Sequence, residues 1–216
     1  MPFAYPEFLM HLKSVLLSDK DILKSIKIDP LFCHGYDGLI AEMIARGEIY
    51  GDTSYIQRSS PKQRISNGLT SFGYDLTLAP KFKIFTNVHN TVVDPLDFNS
   101  KSFVDHSGDS CIIPPNSFVL AESVERIEMP SDCLGICVGK SSYARCGIFL
   151  GITPIEPGWC GTVTIEISNT TPLQARVHAH QGIAQLFFLR NDGGCHLSYA
   201  DKKGKYQGQS GITLPR

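Results

Sequence analysis

Residues 138–169, VGKSSYARCGIFLGITPIEPGWCGTVTIEISN, carry the strongest fold signal in the chain. In the last eight of them polar and apolar side chains alternate, which is the period of a β-strand. The apolar face would hold Val163, Ile165 and Ile167, and the polar face Thr162, Thr164, Glu166 and Ser168. We expect the apolar face to enter a core and the polar face to meet either solvent or a polar pocket.

The residues around this strand predict a tight turn and further short strands. Pro157 and Gly158 suit the two central positions of a type II turn, which would hold Glu156 and Trp159 near its ends. From about Ile65 onward, short apolar runs are separated by Pro, Gly, Asn and Asp. This spacing favours an all-β barrel or sandwich over alternating strands and helices.

Two segments ahead of the β-rich region have a helical pattern. Ser18 and Asp21 have the spacing of a capping box before DKDILKSIKI, where an apolar stripe runs to Ile28. DGLIAEMIARGEI repeats the pattern, with Gly47 as a C-cap. The predicted organisation has three parts: an N-terminal helical segment and loop packed on a barrel (1–64), the barrel (65–198) and a polar, glycine-bearing tail expected to be a mobile arm (199–216).

The segment GKSSYARCG has the composition of a phosphate site. Ser141 and Ser142 follow Lys140, and Arg145 comes three residues after Ser142. If a serine caps one helical turn ending at Gly147, then hydroxyls, backbone N–H groups and the guanidinium converge on one point. An ordinary helix cap beside a solvated arginine is given equal weight, and the spacing of a P-loop is absent.

Glu166 is the one carboxylate on the polar face of the predicted strand. On a solvated face it would be an ordinary surface residue, which is the commoner case. In a pocket, partial burial would raise its pKa and suit it to proton transfer. His178 and His180 would share a strand face but have no third ligand nearby in sequence, and the H-x-E and P-C-x-x-C signature of zinc deaminases is missing. A zinc-free site is therefore expected.

Bulk composition narrows the function classes. The chain has 216 residues and a formal net charge of −1, which argues against broad nucleic-acid binding. Its seven cysteines form no C-x-x-C pair and no secretory leader pattern precedes them, so we expect reduced thiols in a cytoplasmic protein. No run of 18 apolar residues predicts a membrane span.

Taken in order, several segments resemble the dCTP deaminases, relatives of the trimeric dUTPases. The resemblance covers most of residues 17–212 and runs through LSDKDI, SFGYDLTL, GKSSYARCG, IEPGW, TVTIEISN, GIAQLFF and KYQGQSG. It implies a distorted dUTPase-like β-barrel with jelly-roll character and short N-terminal helices. It also implies a homotrimer with active sites between subunits, conversion of dCTP and water to dUTP and ammonia, and dTTP as an inhibitor.

The resemblance also implies roles for individual residues. Glu166 matches the family's general base, and Ser141, Ser142 and Arg145 match its triphosphate grip, beside which Lys140 takes the place of a basic residue. Arg145 and Ser141 would also assist catalysis. The residues expected against base and sugar are Thr153, Pro154, Ile155 and Glu156, and those expected in the closing arm are Tyr199, Lys205 and Gln209. Magnesium would arrive bound to the triphosphate, with no zinc.

One loop departs from the family's pattern. GITPIEPGW is about two residues shorter than in many bacterial members, lacks their basic residue and has Glu156 in place of an aspartate. Base selectivity is therefore the open point, and a modified cytosine is a second candidate substrate. The same motifs also fit a bifunctional enzyme that releases dUMP and pyrophosphate, a dUTPase, and a nucleotide sensor without catalysis. The tail KYQGQSG lacks the Arg and Phe of a dUTPase arm, and no role follows for residues 30–64.

Overall fold

A computed structural model describes residues 16–32, 37–46, 56–57, 65–88 and 91–215 of the protein. Strands dominate this part of the chain, as the sequence predicts. The strands are β1 (Lys27–Asp29), β2 (Leu31–Phe32), β3 (Ile56–Gln57), β4 (Gly68–Thr70), β5 (Gly73–Phe85), β6 (Phe103–Ser107), β7 (Ser110–Ile113), β8 (Ser117–Glu128), β9 (Cys133–Gly139), β10 (Ile148–Gly151), β11 (Cys160–Asn169), β12 (Ala175–His178) and β13 (Gly182–Arg190). The helices are α1 (Asp19–Ser25), α2 (Asp37–Ala45) and α3 (Ser141–Ala144), with a 3₁₀ turn at Ser100–Ser102.

Nine strands form one antiparallel sheet that curls into a barrel. Its path is β10-β11-β8-β5-β13-β9, with β1 added to β8, and β4 and β6 added to β5. The two ends of this path meet at Gly135 and Ile155, where each backbone N–H donates to the other residue's carbonyl at 2.9 and 2.8 Å. This pair of bonds ties the segment after β10 to β9. The expected dUTPase-like β-barrel is confirmed.

Strand β11 has the two faces that its sequence predicts. Val163, Ile165 and Ile167 are buried in the core, while the polar side chains between them are half-buried. The strand lies between β10 and β8, so both of its edges are hydrogen-bonded. A polar side chain on its outer face is therefore held on a rigid element.

The turn before β11 is also as expected. The Trp159 N–H donates to the Glu156 carbonyl at 3.1 Å, and Gly158 has a φ of +77°, which is the left-handed value that a type II turn requires at this position. Ser198 leaves no room for a larger residue there, because a Cβ on Gly158 would lie 2.7 Å from the Ser198 Cβ. The turn thus fixes the entry of the chain into β11 and packs against the tail.

The N-terminal segment differs from its predicted helical character. The Ser18 N–H donates to Asp21 at 3.1 Å, as the capping-box spacing predicts, but α1 ends at Ser25. The extension of the helical stripe to Ile28 is wrong, because residues 27–29 form β1 and pair with β8. Pairing with a barrel strand buries Ile28 completely, which outweighs its weak helical preference.

Part of the second helical segment lies beyond what the structure describes. Helix α2 is present, but the predicted C-cap at Gly47 is outside the described residues, as is most of the loop between 47 and 64. Two short strands, β2 and β3, pair in parallel across this segment. Within the described residues, no helix is long and apolar enough to cross a membrane.

Candidate active site

A cavity of about 640 Å³ opens beside the polar face of β11. Its polar groups include Glu166, Thr164, Glu156 and Gln209. The remaining walls come from the 91–103 region, strand β8, the loop after β10 and the tail. They are formed by Val93, Pro95, Phe98, Phe103, Phe118, Leu120, Ile152, Thr153, Pro154, Ile155, Trp159, Val163, Tyr199, Tyr206, Thr213, Leu214 and Pro215. A few polar groups in a largely apolar pocket are typical of a small-molecule site.

Glu166 lies on the wall of this cavity between two strands. Its cross-strand neighbours are Leu120 on β8 and Gly151 on β10. Gly151 has no side chain, and a Cβ at this position would lie 3.7 Å from the Glu166 Cβ. Burial raises the pKa of Glu166 to about 7. A carboxyl group with this pKa can both accept and return a proton near neutral pH.

The loop predicted to contact the base forms one wall. Thr153 and Pro154 are exposed at the rim, whereas Ile155 is buried. The backbone of Ile155 is hydrogen-bonded to that of Gly135. Glu156 is half-buried and its carboxylate lies 3.5 Å from the Lys202 ammonium. These four predicted residues therefore lie together against the Glu166 cavity.

The tail packs over the same cavity. The Gln209 side-chain amide donates to the Thr162 carbonyl at 2.6 Å, and the Thr213 N–H donates to the Thr164 hydroxyl at 3.2 Å. The Trp159 indole N–H donates to the Tyr206 carbonyl at 3.0 Å. Residues 199–215 are thus hydrogen-bonded along β11 and the turn that precedes it.

Two of the three predicted arm residues line this cavity. Tyr199 and Gln209 do, and the Tyr199 hydroxyl accepts the Tyr206 N–H at 3.1 Å. Lys205 does not: it is exposed, with its ammonium 5.1 Å from the centre of the Tyr206 ring. The cation predicted for the arm therefore does not line the Glu166 cavity.

The predicted phosphate residues lie at a different place. A second cavity, of about 320 Å³, is lined by Val138, Gly139, Lys140, Ser141, Ser142, Gln185 and Phe187. Ser141 and Ser142 are exposed at the start of α3, and Arg145 is exposed just after its end. Lys140 is partly covered, and its ammonium lies 2.5 Å from the Asp75 carboxylate.

The structure therefore separates the predicted site into two groups within one chain. Glu166, the 153–156 loop, Tyr199 and Gln209 share the larger cavity, while Lys140, Ser141 and Ser142 share the smaller one. The two cavities have no lining residue in common, and Arg145 lines neither. A nucleotide bound within only one of these cavities would not contact both groups.

The histidine pair does not form a metal site on a common strand face. His178 ends β12 and is exposed, whereas His180 lies in the following turn with a φ of +60°. Across the described residues there is no cluster of three or more His, Cys, Asp and Glu side chains that could hold a metal ion.

Sequence reasoning missed the aromatic wall opposite the tail. Phe98, Phe103 and Phe118 come from separate segments, and Phe103 packs edge-on against Phe118 with 5.7 Å between ring centres. No local pattern marks these residues, because only the pairing of β6 and β8 with β5 brings them together. Trp159 could have been found from its place beside the turn.

The β-barrel fold has a counterpart among solved structures. It superposes on the crystal structure of 2'-deoxycytidine 5'-triphosphate deaminase from Agrobacterium tumefaciens with a TM-score of 0.50 and 16% identity, over 82% of this chain and 48% of that chain. More particularly, the model of the dCTP deaminase-like family matches residues 38–191, and the chain belongs to this enzyme family.

Individual relatives agree with the family match. The dCTP deaminase of Campylobacter hominis is 62% identical over 152 residues, which are 70% of this chain and 80% of that protein. The dCTP deaminase of Dichelobacter nodosus is 57% identical over 161 residues, or 74% of this chain and 86% of that protein. Both alignments cover most of the relative's length.

Proposed function

We propose that the protein is a dCTP deaminase, which converts dCTP and water to dUTP and ammonia. Family membership and the names of its relatives support the substrate. The observation that carries the chemistry is Glu166, a strand-borne carboxyl group in a mostly apolar cavity with a pKa raised to about 7 by burial. A group with this pKa is the type needed for a reaction with two opposite proton transfers.

In the proposed mechanism, ionised Glu166 removes a proton from water as the oxygen attacks C4 of cytosine. A C4–O bond forms as the C4=N3 double bond opens and its electron pair moves to N3, so C4 becomes tetrahedral; N3 takes the remaining proton of the added hydroxyl when the carbonyl forms. Protonated Glu166 then delivers the proton to the amino group, the C4–N bond breaks and ammonia leaves. One carboxyl group in alternation is sufficient, so no covalent intermediate and no zinc-bound water enter the proposal. The cavity that Glu166 lines gives the water and the amino group room to approach.

The triphosphate is proposed to bind at the second cavity, where Ser141 and Ser142 supply hydroxyl donors. Arg145, which lies just after α3 and outside the cavity lining, is proposed to add its guanidinium. Their exposure at α3 leaves these donors accessible to a ligand. Arginine is suited to this role because its planar fork binds phosphate oxygens in pairs. Magnesium is part of the substrate here, since it arrives bound to the triphosphate and offsets its charge.

A homotrimer with shared sites explains why the two groups are apart. What supports it is that the Glu166 cavity and the phosphate cavity have no lining residue in common. One subunit would supply Glu166 and the base-facing loop, and its neighbour would supply Ser141, Ser142 and Arg145. The dCTP deaminase activity does not depend on this assembly proposal and is tested separately.

The activity test is incubation with dCTP and Mg²⁺, followed by measurement of ammonia, dUTP, dUMP and pyrophosphate. Ammonia with dUTP is the expected result. Ammonia with dUMP and pyrophosphate would show the bifunctional enzyme. If dCTP is unchanged but dUTP in a parallel incubation releases pyrophosphate, the protein is a dUTPase; nucleotide binding without any product would show a sensor. The last two results would refute the proposed reaction. Adding dTTP to the same assay tests inhibition.

The shared site is tested by mixing two inactive variants, Glu166→Gln and Arg145→Met. In randomly mixed trimers, roughly one quarter of the interfaces would pair an intact Glu166 with an intact Arg145 from the neighbour. We expect about that fraction of wild-type activity to return after the subunits are unfolded and refolded together. If the mixture remains as inactive as its components, both residues act from the same chain and the shared site is wrong.

A further inference from the structure

We propose that Asp75 is a positioning residue that holds Lys140 in place to donate one hydrogen bond to the substrate's triphosphate. This inference rests on the proposed function, because the phosphate ligand comes from it. Asp75 lies on β5, the strand at the centre of the barrel sheet, and is 3% exposed. No part of the sequence motif around Lys140 indicates this partner, which is 65 residues away.

The contacts around Lys140 form a closed triangle. Its ammonium lies 2.5 Å from Asp75 Oδ2 and 3.0 Å from the Ser66 hydroxyl oxygen. The Ser66 hydroxyl also donates to Asp75 Oδ2, at 3.1 Å. The second carboxylate oxygen of Asp75, Oδ1, is buried and has no partner among the described residues. The side-chain interactions of Asp75 are thus directed to Lys140 and Ser66 alone.

Counting donors shows what remains for a ligand. A lysine ammonium has three N–H donors. Asp75 and Ser66 accept two of them, and the structure gives no third partner for Lys140 among the residues it describes. Lys140 also lines the smaller cavity together with Ser141 and Ser142. The remaining N–H is therefore available to a phosphate oxygen in that cavity. The ammonium itself is held in place by its hydrogen bonds to Asp75 and Ser66.

The backbone links this arrangement to the rest of the phosphate site. The Lys140 carbonyl accepts the N–H groups of Tyr143 and Ala144, so Lys140 is the residue from which α3 begins. Fixing its side chain to β5 therefore anchors the turn that presents Ser141 and Ser142. A mobile lysine would lose rotamer entropy on binding phosphate, whereas one already held by Asp75 loses less.

The rival explanation is that the contacts among Asp75, Lys140 and Ser66 only stabilise the fold, by fastening Lys140 and the 65–67 segment to β5. Binding of inorganic tripolyphosphate, measured by calorimetry, separates the two because it needs neither base recognition nor turnover. The variants are Asp75→Asn, Lys140→Met and the double variant. Asp105→Asn is the control for removing a carboxylate from a short ion pair, because Asp105 lies 2.6 Å from Lys83 on the same sheet, is exposed and lines neither cavity.

We expect Asp75→Asn to weaken tripolyphosphate binding by about tenfold and Lys140→Met to weaken it at least as much, in line with a charge-assisted hydrogen bond. The double variant should bind no more weakly than Lys140→Met, because Asp75 acts only through Lys140. Asp105→Asn should leave binding unchanged. The proposal would be overturned if Asp75→Asn weakened tripolyphosphate binding equally in the wild-type and Lys140→Met backgrounds. It would also be overturned if Asp75→Asn bound tripolyphosphate more tightly than the wild type.

Kinetics give a second readout. With dCTP, Asp75→Asn should raise KM by about tenfold and change kcat by less than about twofold, since the reacting end of the nucleotide is untouched. Loss of kcat with unchanged KM would contradict a phosphate role.

If the wild-type protein binds tripolyphosphate but does not convert dCTP, the proposed reaction fails while the assignment of Asp75 stands on the binding data. If Asp75→Asn does not fold, Lys140→Met and Ser66→Ala still test the proposal. Each should weaken tripolyphosphate binding, and unchanged binding by both variants would overturn the proposal.

Discussion

Replacing Glu166 by glutamine should abolish deamination and, above neutral pH, make the protein more stable. Glutamine keeps the shape of the side chain but cannot exchange a proton with water. Loss of general acid–base catalysis costs roughly 10²–10⁴ in rate. We therefore expect kcat for dCTP to fall by at least that factor, while the dissociation constant of the nucleotide changes little.

The gain in stability follows from the same buried carboxyl group. Burial raises the pKa of Glu166 to about 7 from its ordinary value of 4.5, so the folded protein holds this proton more tightly than the unfolded chain. Stability due to this group is highest below about pH 4.5 and is lost as the pH rises to about 7. Above that, the ionised group costs up to about 3 kcal/mol, because each pKa unit is worth about 1.4 kcal/mol. Partial exposure of the side chain makes this an upper limit.

Urea denaturation at pH 5 and pH 8 measures both parts of the prediction. Glu166→Gln should be more stable than the wild type by about 2–3 kcal/mol at pH 8 and by less than about 1 kcal/mol at pH 5. Glu42→Gln is the control, because Glu42 is exposed on α2 and forms an ion pair with Arg46 four residues on. A Glu166→Gln variant that still turns over dCTP at a near-normal rate refutes the role of the base. A variant no more stable at pH 8 refutes the burial argument.

Three further results are expected. The kcat for dCTP should rise with pH and level off above about 7, since only ionised Glu166 accepts the water proton; a flat profile between pH 5 and 8, with chemistry rate-limiting, would exclude it as the base. Removing the tail before Tyr199 should raise KM for dCTP strongly and expose the Trp159 indole, seen as a red shift in its fluorescence; unchanged KM would exclude closure by the tail. Glu125→Ala should lower the free energy of unfolding by about 2–4 kcal/mol in urea, because the buried carboxyl group accepts the Thr77 N–H and the Tyr74 hydroxyl, and a loss below about 1 kcal/mol would contradict that role.

Local sequence signals predicted the parts of the molecule that depend on neighbours along the chain. Alternation in β11, the turn at Pro157 and Gly158, and the capping box at Ser18 all involve residues within a few positions of one another. Their geometry is fixed by backbone preferences that a single sequence shows. The all-β class, barrel or sandwich, followed from the same signals, because regular short strands leave few other ways to bury their apolar faces. The barrel itself was implied by the resemblance to the dCTP deaminases.

Contacts between distant segments could not be predicted in this way. Strand β1 forms where a helical pattern continues, because β8 offers a free edge to residues 27–29. The sequence places Lys140 beside the predicted phosphate residues, but it does not show that its partner, Asp75, lies on another strand. The aromatic wall and the separation of the two cavities depend likewise on which strands pair. Such features follow from register and topology, and no pattern in a single segment encodes them.

The separation of Glu166 from the phosphate residues has an electrostatic consequence for the proposed reaction. A triphosphate carries about four negative charges, and one charge about 5 Å away at an effective dielectric constant of 20 contributes about 3 kcal/mol. Phosphate oxygens next to Glu166 would therefore raise its pKa well above 7, and too little ionised base would remain at neutral pH. With the phosphates bound at the second cavity, as proposed, this shift is avoided. Arg145 and Lys140 would then neutralise the triphosphate, and burial would remain the largest cause of the Glu166 pKa of about 7.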